Sequence, residues 1–155
     1  MTSTIISRAI SKQKRMDIKT DINQLIPQRS PIMMVDELLS VEDNVAKCCL
    51  MVRQDNFFIE PDGMLAEPGV IEHIAQSASA FAGFQALQEG ATEPPVGYIG
   101  EVKKFNLHRR PSLGEKIVTS ITMGAEVEGI TIISGECHVG EELIADTTMK
   151  IFVKQ

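Results

Sequence analysis

The chain has 155 residues, 43% of them hydrophobic and 23% charged, which suits one soluble domain with a substantial core. No apolar run approaches the ~20 residues that span a bilayer, so an integral helical membrane protein is excluded. The formal net charge is −6, and the first sixteen residues carry Arg8, Lys12, Lys14 and Arg15 with no acid; the remaining body, with 11 basic against 21 acidic residues (−10), argues against general nucleic-acid binding.

The basic start lacks the continuous apolar core of a secretion signal. Residues 1–20 are expected to be a disordered or dispensable tail, with Met16 as an alternative beginning, and 21–155 to be a single domain. The three cysteines, Cys48, Cys49 and Cys137, have no metal-ligand spacing. Structural thiols in a reducing cytoplasm are therefore expected, with no metal and no cofactor.

In chain order, a short helical turn over 21–26 ends before Pro27. The segment after it turns at two prolines, and Ile32 to Val35 are apolar enough to enter a core. The run 44–53 alternates as a strand does, with Ala46, Cys48, Leu50 and Val52 forming the cleaner core face. An irregular connection follows, turning at Pro61-Asp62-Gly63 and carrying Phe57 and Phe58, both expected to be buried.

The stretch EPGVIEHIAQSASAFAGFQALQE predicts one long helix over 67–89. Pro68 suits the first helical turn and Gly90 the exit. Its many alanines, serines and glycines let other backbone approach on several sides, so a wrapping sheet is expected. Strands are predicted over 96–106, 116–127, 130–139 and 143–153. Their short connections favour antiparallel pairing, giving an α+β domain with a long central helix.

Three blocks then carry a family likeness. LIPQRSPIMMVDELLSV at 25–41, PGVIEHIAQSASAFAG at 68–83 and GYIGEVKKFNLHRRPSLGEKI at 97–117 together resemble the hot-dog (3R)-hydroxyacyl-acyl carrier protein dehydratases. The narrower pattern is closer to the dehydratase-like proteins encoded with aryl polyene pathways. The resemblance implies a sheet wrapped around a central helix and a homodimer with active sites at its interface. It also implies dehydration of 3-hydroxyacyl thioesters on acyl carrier protein or coenzyme A. Glu72 falls on the family's catalytic glutamate, with Gln76 four residues on. The family's second catalytic group, a histidine in a Gly-His-Phe-Pro-Gly loop, is absent: Ile59-Glu60-Pro61-Asp62-Gly63 stands there. The family's Pro-His is Pro27-Gln28.

Dehydration needs a base for the C2 proton, an acid for the departing hydroxyl and donors for the thioester oxygen. Glu72 is the expected acid/base, weighed against a helix-start acid that merely favours the dipole. His73 is a second catalytic candidate. Its side chain diverges from Glu72 by ~100° around the helix, so a hydrogen-bonded packing histidine is the competing reading. Gly69 and Val70 are expected to offer oxyanion N–H groups, Gln76 to position Glu72, and Tyr98 to join the substrate site. Asp62 or Glu60 is weighed as a replacement for the missing histidine, against an exposed turn pair. Arg29, Lys103, Lys104, Arg109 and Arg110 are basic candidates for docking an acidic carrier protein, against a solvated strand edge. Thioester hydrolysis and a catalytically silent acyl-binding subunit are the alternative functions.

Overall fold

The computed structural model describes residues 16–17 and 20–154; of the predicted tail, residues 1–15, 18 and 19 lie outside them, whereas Met16, its alternative beginning, is described. Strand β1 (Met16–Asp17), a 3-10 turn (Ile22–Gln24), β2 (Glu37–Glu42) and β3 (Val45–Met51) precede the single long helix α1 (Glu67–Gln88). Strands β4 (Val96–Leu107), β5 (Lys116–Val127), β6 (Ile130–Val139) and β7 (Glu142–Lys154) follow. Among the described residues these strands form one antiparallel sheet in the order β1-β2-β3-β5-β6-β7-β4. The sheet wraps α1, which touches β2, β3, β4, β5 and β6. The α+β hot-dog architecture is as expected.

Curvature has a local cause. Register shifts interrupt the β2–β3, β4–β7, β5–β6 and β6–β7 ladders, and an extra residue in one strand bends and twists it. The inward-facing row of β6, with Thr131, Ile133 and Cys137 all buried, meets the helix while its alternate residues face out. The predicted core face of β3 is buried as a set, with Ala46, Cys48, Leu50 and Val52 at most 3% exposed. Phe81 and Ile74 of α1 are fully enclosed, each contributing roughly 2–3 kcal/mol of apolar burial.

Small helix residues permit the close packing. A Cβ on Gly83 would collide with the Leu25 carbonyl, and one on Gly135 of β6 would press on Ile74. Gly90, at φ +95, ends the helix as predicted.

One strand here lies beyond those predicted, and one expectation needs correction. Glu37–Glu42 forms a full strand, although a bulge at Leu38/Ser40 breaks its alternation. Phe57 is 60% exposed. Its ring stands edge-on to Phe58 at 5.1 Å, and Phe58 takes the inner place against Gly69. Vicinal rings diverge along the chain, so Phe57 stays outside once Phe58 fills the gap.

Candidate active site

One face of α1 is left uncovered by the sheet and forms the floor of a cavity of about 360 Å³. Glu72, Ala75, Gln76, Ser79, Ala82 and Gln85 line it. Their spacing of three and four residues is that of one helical stripe, ~20 Å long at 1.5 Å per residue. The sheet supplies the opposite wall through Ile99, Met123, Ile133 and Ile151, with Gly97 and Gly124 opening space. The small residues that elsewhere admit close packing leave room here for an extended apolar ligand. Thr131 and Glu126, paired across β5 and β6, border the cavity far from Glu72.

Glu72 sits at the polar end. Its Oε1 accepts a 2.8 Å hydrogen bond from Gln76 Nε2, one helical turn on. Gln76 is itself fixed from outside the helix: Nε2 also donates to the Ile32 carbonyl at 2.8 Å, and Oε1 accepts from the Met34 N–H at 2.6 Å. Both amide protons and the carbonyl oxygen of this buried carboxamide are thus engaged. The apolar segment 32–35 therefore clamps Gln76, and Gln76 aims Glu72 into the cavity.

His73 faces the other way. It is 0% exposed and does not line the cavity. Nδ1 lies 2.6 Å from the Met34 carbonyl and Nε2 lies 2.7 Å from Thr119 Oγ1. A carbonyl only accepts, so Nδ1 carries the proton and Nε2 accepts from the threonine hydroxyl. The Cys137 thiol, 3.2 Å from Thr119 Oγ1, then donates to that oxygen. This chain satisfies each group with a neutral imidazole, and burial, partly opposed by the Met34 hydrogen bond, pushes the His73 pKa down to about 4. Both ring nitrogens are engaged inside the core. The geometry thus gives His73 a packing part, tying α1 to β5 and the 32–35 segment, and separates it from Glu72.

The expected oxyanion donors are also occupied. The Gly69 and Val70 N–H groups both bond the Ala66 carbonyl, at 2.9 and 3.3 Å, closing the first turn of α1, and neither residue borders the cavity. The first turn closes in this way because the N-cap carbonyl accepts the first intrahelical bond. Tyr98 lies in β4 opposite Phe152; its side chain is outside the described residues.

Asp62 and Glu60 sit in an exposed turn, ion-paired with Arg110. The Met64 N–H first, and then Arg110, hold the Asp62 carboxyl below its usual value. An acid held ionised is a poor proton donor, and neither residue lines this chain's cavity.

The basic cluster is largely neutralised from within. Arg109 bridges Glu115 and Glu142, each at 2.8 Å, and its hydrogen bonds pull Glu115 down to about 2. Arg29 donates to the carbonyls of Asn23, Ile26 and Gln28, which fixes the loop ahead of the cavity. Lys103 and Lys104 of β4 remain exposed. Such pairings join residues as far apart as Arg110 and Asp62, 48 positions, and composition gives no sign of them.

Sequence reasoning missed Gln28 as a cavity residue, although it marked the position as the family's histidine replaced. It also read Ala75, Ser79 and Ala82 as packing residues, not as the floor of a groove.

Comparison with known proteins agrees with this arrangement. Residues 20–155 match the family model of the ApeP-like proteins, described as ApeP dehydratase. The 3-hydroxyacyl-[acyl-carrier-protein] dehydratase FabZ of Natranaerobius thermophilus is 30% identical over 129 residues, covering 81% of this chain and 89% of its own. The FabZ of Syntrophotalea carbinolica is 26% identical over 135 residues, covering 84% and 90%. Among solved structures, the dehydratase heterocomplex ApeI:P from Xenorhabdus doucetiae superposes with a TM-score of 0.82 at 15% identity, covering 89% of this chain and 93% of that one. The E. coli PaaI protein shares the fold with a TM-score of 0.61 at 8% identity, covering 75% and 81%. With its matched span running through all three sequence blocks and every residue that lines the cavity, this chain belongs to the ApeP-like dehydratase family.

Proposed function

We propose that this protein dehydrates 3-hydroxyacyl thioesters presented on acyl carrier protein, with Glu72 as a proton-transfer group. The observation that carries the reading is Glu72 itself: a carboxylate held by Gln76 at one end of an apolar groove. In the reaction the C2–H and C3–O bonds break, the C2=C3 bond forms, and the proton and hydroxide leave as water. The groove holds the acyl chain beside α1, which brings C2 and C3 to the carboxylate. Glu72 takes the proton from C2 or gives one to the hydroxyl oxygen departing from C3.

The family resemblance implies a second proton-transfer group beside the glutamate. His73 is committed to the core, and the 59–63 loop has no histidine. We therefore favour a dimer in which a second hot-dog chain supplies that group. Strand β4 supports such pairing, being a twelve-residue strand at the edge of the sheet with Val96 and Ile99 more than one-third exposed. Long unpaired edges of this kind are templates for another chain. The ApeI:P neighbour is itself a heterocomplex, which favours a different partner over a second copy. The absent loop histidine also favours a second reading, in which this chain binds acyl groups and leaves chemistry to its partner.

The test is a product assay on affinity-purified protein, alone and with any chain that co-purifies from its own host, using 3-hydroxyacyl-acyl carrier proteins. The 2-enoyl product is expected without release of free thiol. Free thiol in its place would mean hydrolysis, and no product from either preparation would overturn the proposal.

A further inference from the structure

Among the described residues, one buried side-chain polar atom has no hydrogen-bond partner, and it is Oε1 of Gln28. The same residue lines the cavity that holds Glu72. Leaving such a group unpaired is costly, a cost that persists in folded proteins mainly where a ligand or water relieves it.

The position of Gln28 along the groove follows from its loop. The Leu25 backbone abuts Gly83, while the Ile32 carbonyl meets Gln76 and the Met34 carbonyl meets His73. The segment 25–34 therefore runs antiparallel to α1, and Gln28 falls between the levels of Gln76 and Gly83. That is about one turn, ~5 Å, beyond the Glu72–Gln76 pair toward the far end of the groove. Its backbone is anchored there, because Arg29 ties the carbonyls of Asn23, Ile26 and Gln28 together. Rotation about the last side-chain torsion, which is soft for an amide, swings the carboxamide toward the cavity.

With the reach of a hydrogen bond, about 3 Å, at each side chain, this offset lets Glu72 and the Gln28 carboxamide contact atoms of the acyl chain one or two bonds apart. A hydroxyl suits Gln28 best, because it donates to the amide oxygen and accepts from the amide nitrogen, whichever way the carboxamide is turned. We propose that Gln28 binds the 3-hydroxyl of the acyl chain and so selects hydroxyacyl over saturated acyl groups. The inference rests on the dehydratase reading for the identity of the hydroxyl, but binding alone tests it.

The probes are the (3R)-3-hydroxyoctanoyl and octanoyl amides of aminopantetheine, whose C2 protons are too weakly acidic to be removed. Wild-type protein, with any co-purifying chain, is expected to bind the hydroxylated probe more tightly than the plain one. Gln28→Leu is expected to lose about 3- to 10-fold in affinity for the hydroxylated probe, the worth of one hydrogen bond, and to keep its affinity for the plain probe. Its unfolding temperature is expected to stay level or rise, because the unpaired polar atom is gone; a purely structural Gln28 would lower it. Gln28→Asn, which shortens the amide by one methylene, is expected to lose the preference as well. Equal binding of both probes by wild type, or an unchanged preference in both variants, overturns the proposal. A preference that depends on Gln28 in a protein that forms no enoyl product would sink the dehydratase reading and leave the hydroxyl site standing.

Discussion

Lowering the pH should loosen the support of the active site through His73. The imidazole is fully buried and neutral, with a pKa of about 4 against an ordinary 6.5. Because the folded-state value lies below the unfolded one, the unfolded chain takes up the extra proton. The stabilisation is therefore whole above about pH 6.5 and is lost as pH falls toward 4. Between about pH 7 and pH 5 the linkage amounts to about 2 kcal/mol. The lowered acids, Asp62, Glu115 and Asp146, add their own losses only below about pH 4.5, outside this window. Urea unfolding at the two pH values measures the difference, and the wild type is expected to lose about 2 kcal/mol at the lower pH. His73→Gln, which cannot take a proton, is expected to show a nearly flat profile over the same range, from a lower starting stability. An imidazole NMR signal of His73 titrating near its ordinary value, or equal wild-type stability at both pH values, would refute the buried neutral chain.

Three other perturbations follow from the same contacts. Gln76→Leu removes both clamps on the 32–34 segment and leaves the buried Met34 N–H unpaired; a cost of roughly 2–4 kcal/mol should lower the unfolding temperature by roughly 5–15 °C in calorimetry. Gly83→Ala drives a methyl into the Leu25 carbonyl, where backbone cannot yield, and should cost about 2 kcal/mol or more in the same assay. Ala82→Leu fills the middle of the groove, so turnover of long 3-hydroxyacyl chains should fall about tenfold or more while short ones are retained; equal losses at all lengths would contradict a chain-holding groove.

Much of the fold was legible because each strand announced its own ends. The glycine-bearing turns at Glu128-Gly129 and Gly140-Glu141 separate β5, β6 and β7, and Pro68 and Gly90 bracket α1. β2 was harder, since its bulge destroys the period of two on which a strand is recognised. Within the site, the Glu72–Gln76 pair was visible from i, i+4 spacing alone. The divergence of Glu72 from His73 followed equally from the ~100° step between neighbours. What faces each of them was not visible. Thr119 and Cys137 reach His73 from strands 46 and more residues away, and the ion pairs of Arg109 and Arg110 join distant segments in the same way. Small residues on α1 have one meaning where backbone covers them and the opposite where nothing does. Gly83 meets Leu25, whereas Ala82, its neighbour in sequence, borders open space.

The account stands most directly on Glu72. Gln in its place keeps the shape and can still pair with Gln76, but it cannot exchange a proton with substrate. Dehydration of a 3-hydroxyacyl-acyl carrier protein by Glu72→Gln, measured beside wild type in the same assembly, is expected to fall by about 10²-fold or more with the unfolding temperature nearly unchanged. Undiminished formation of the 2-enoyl product by that variant would contradict a catalytic Glu72 and leave this chain as the acyl-binding partner of another.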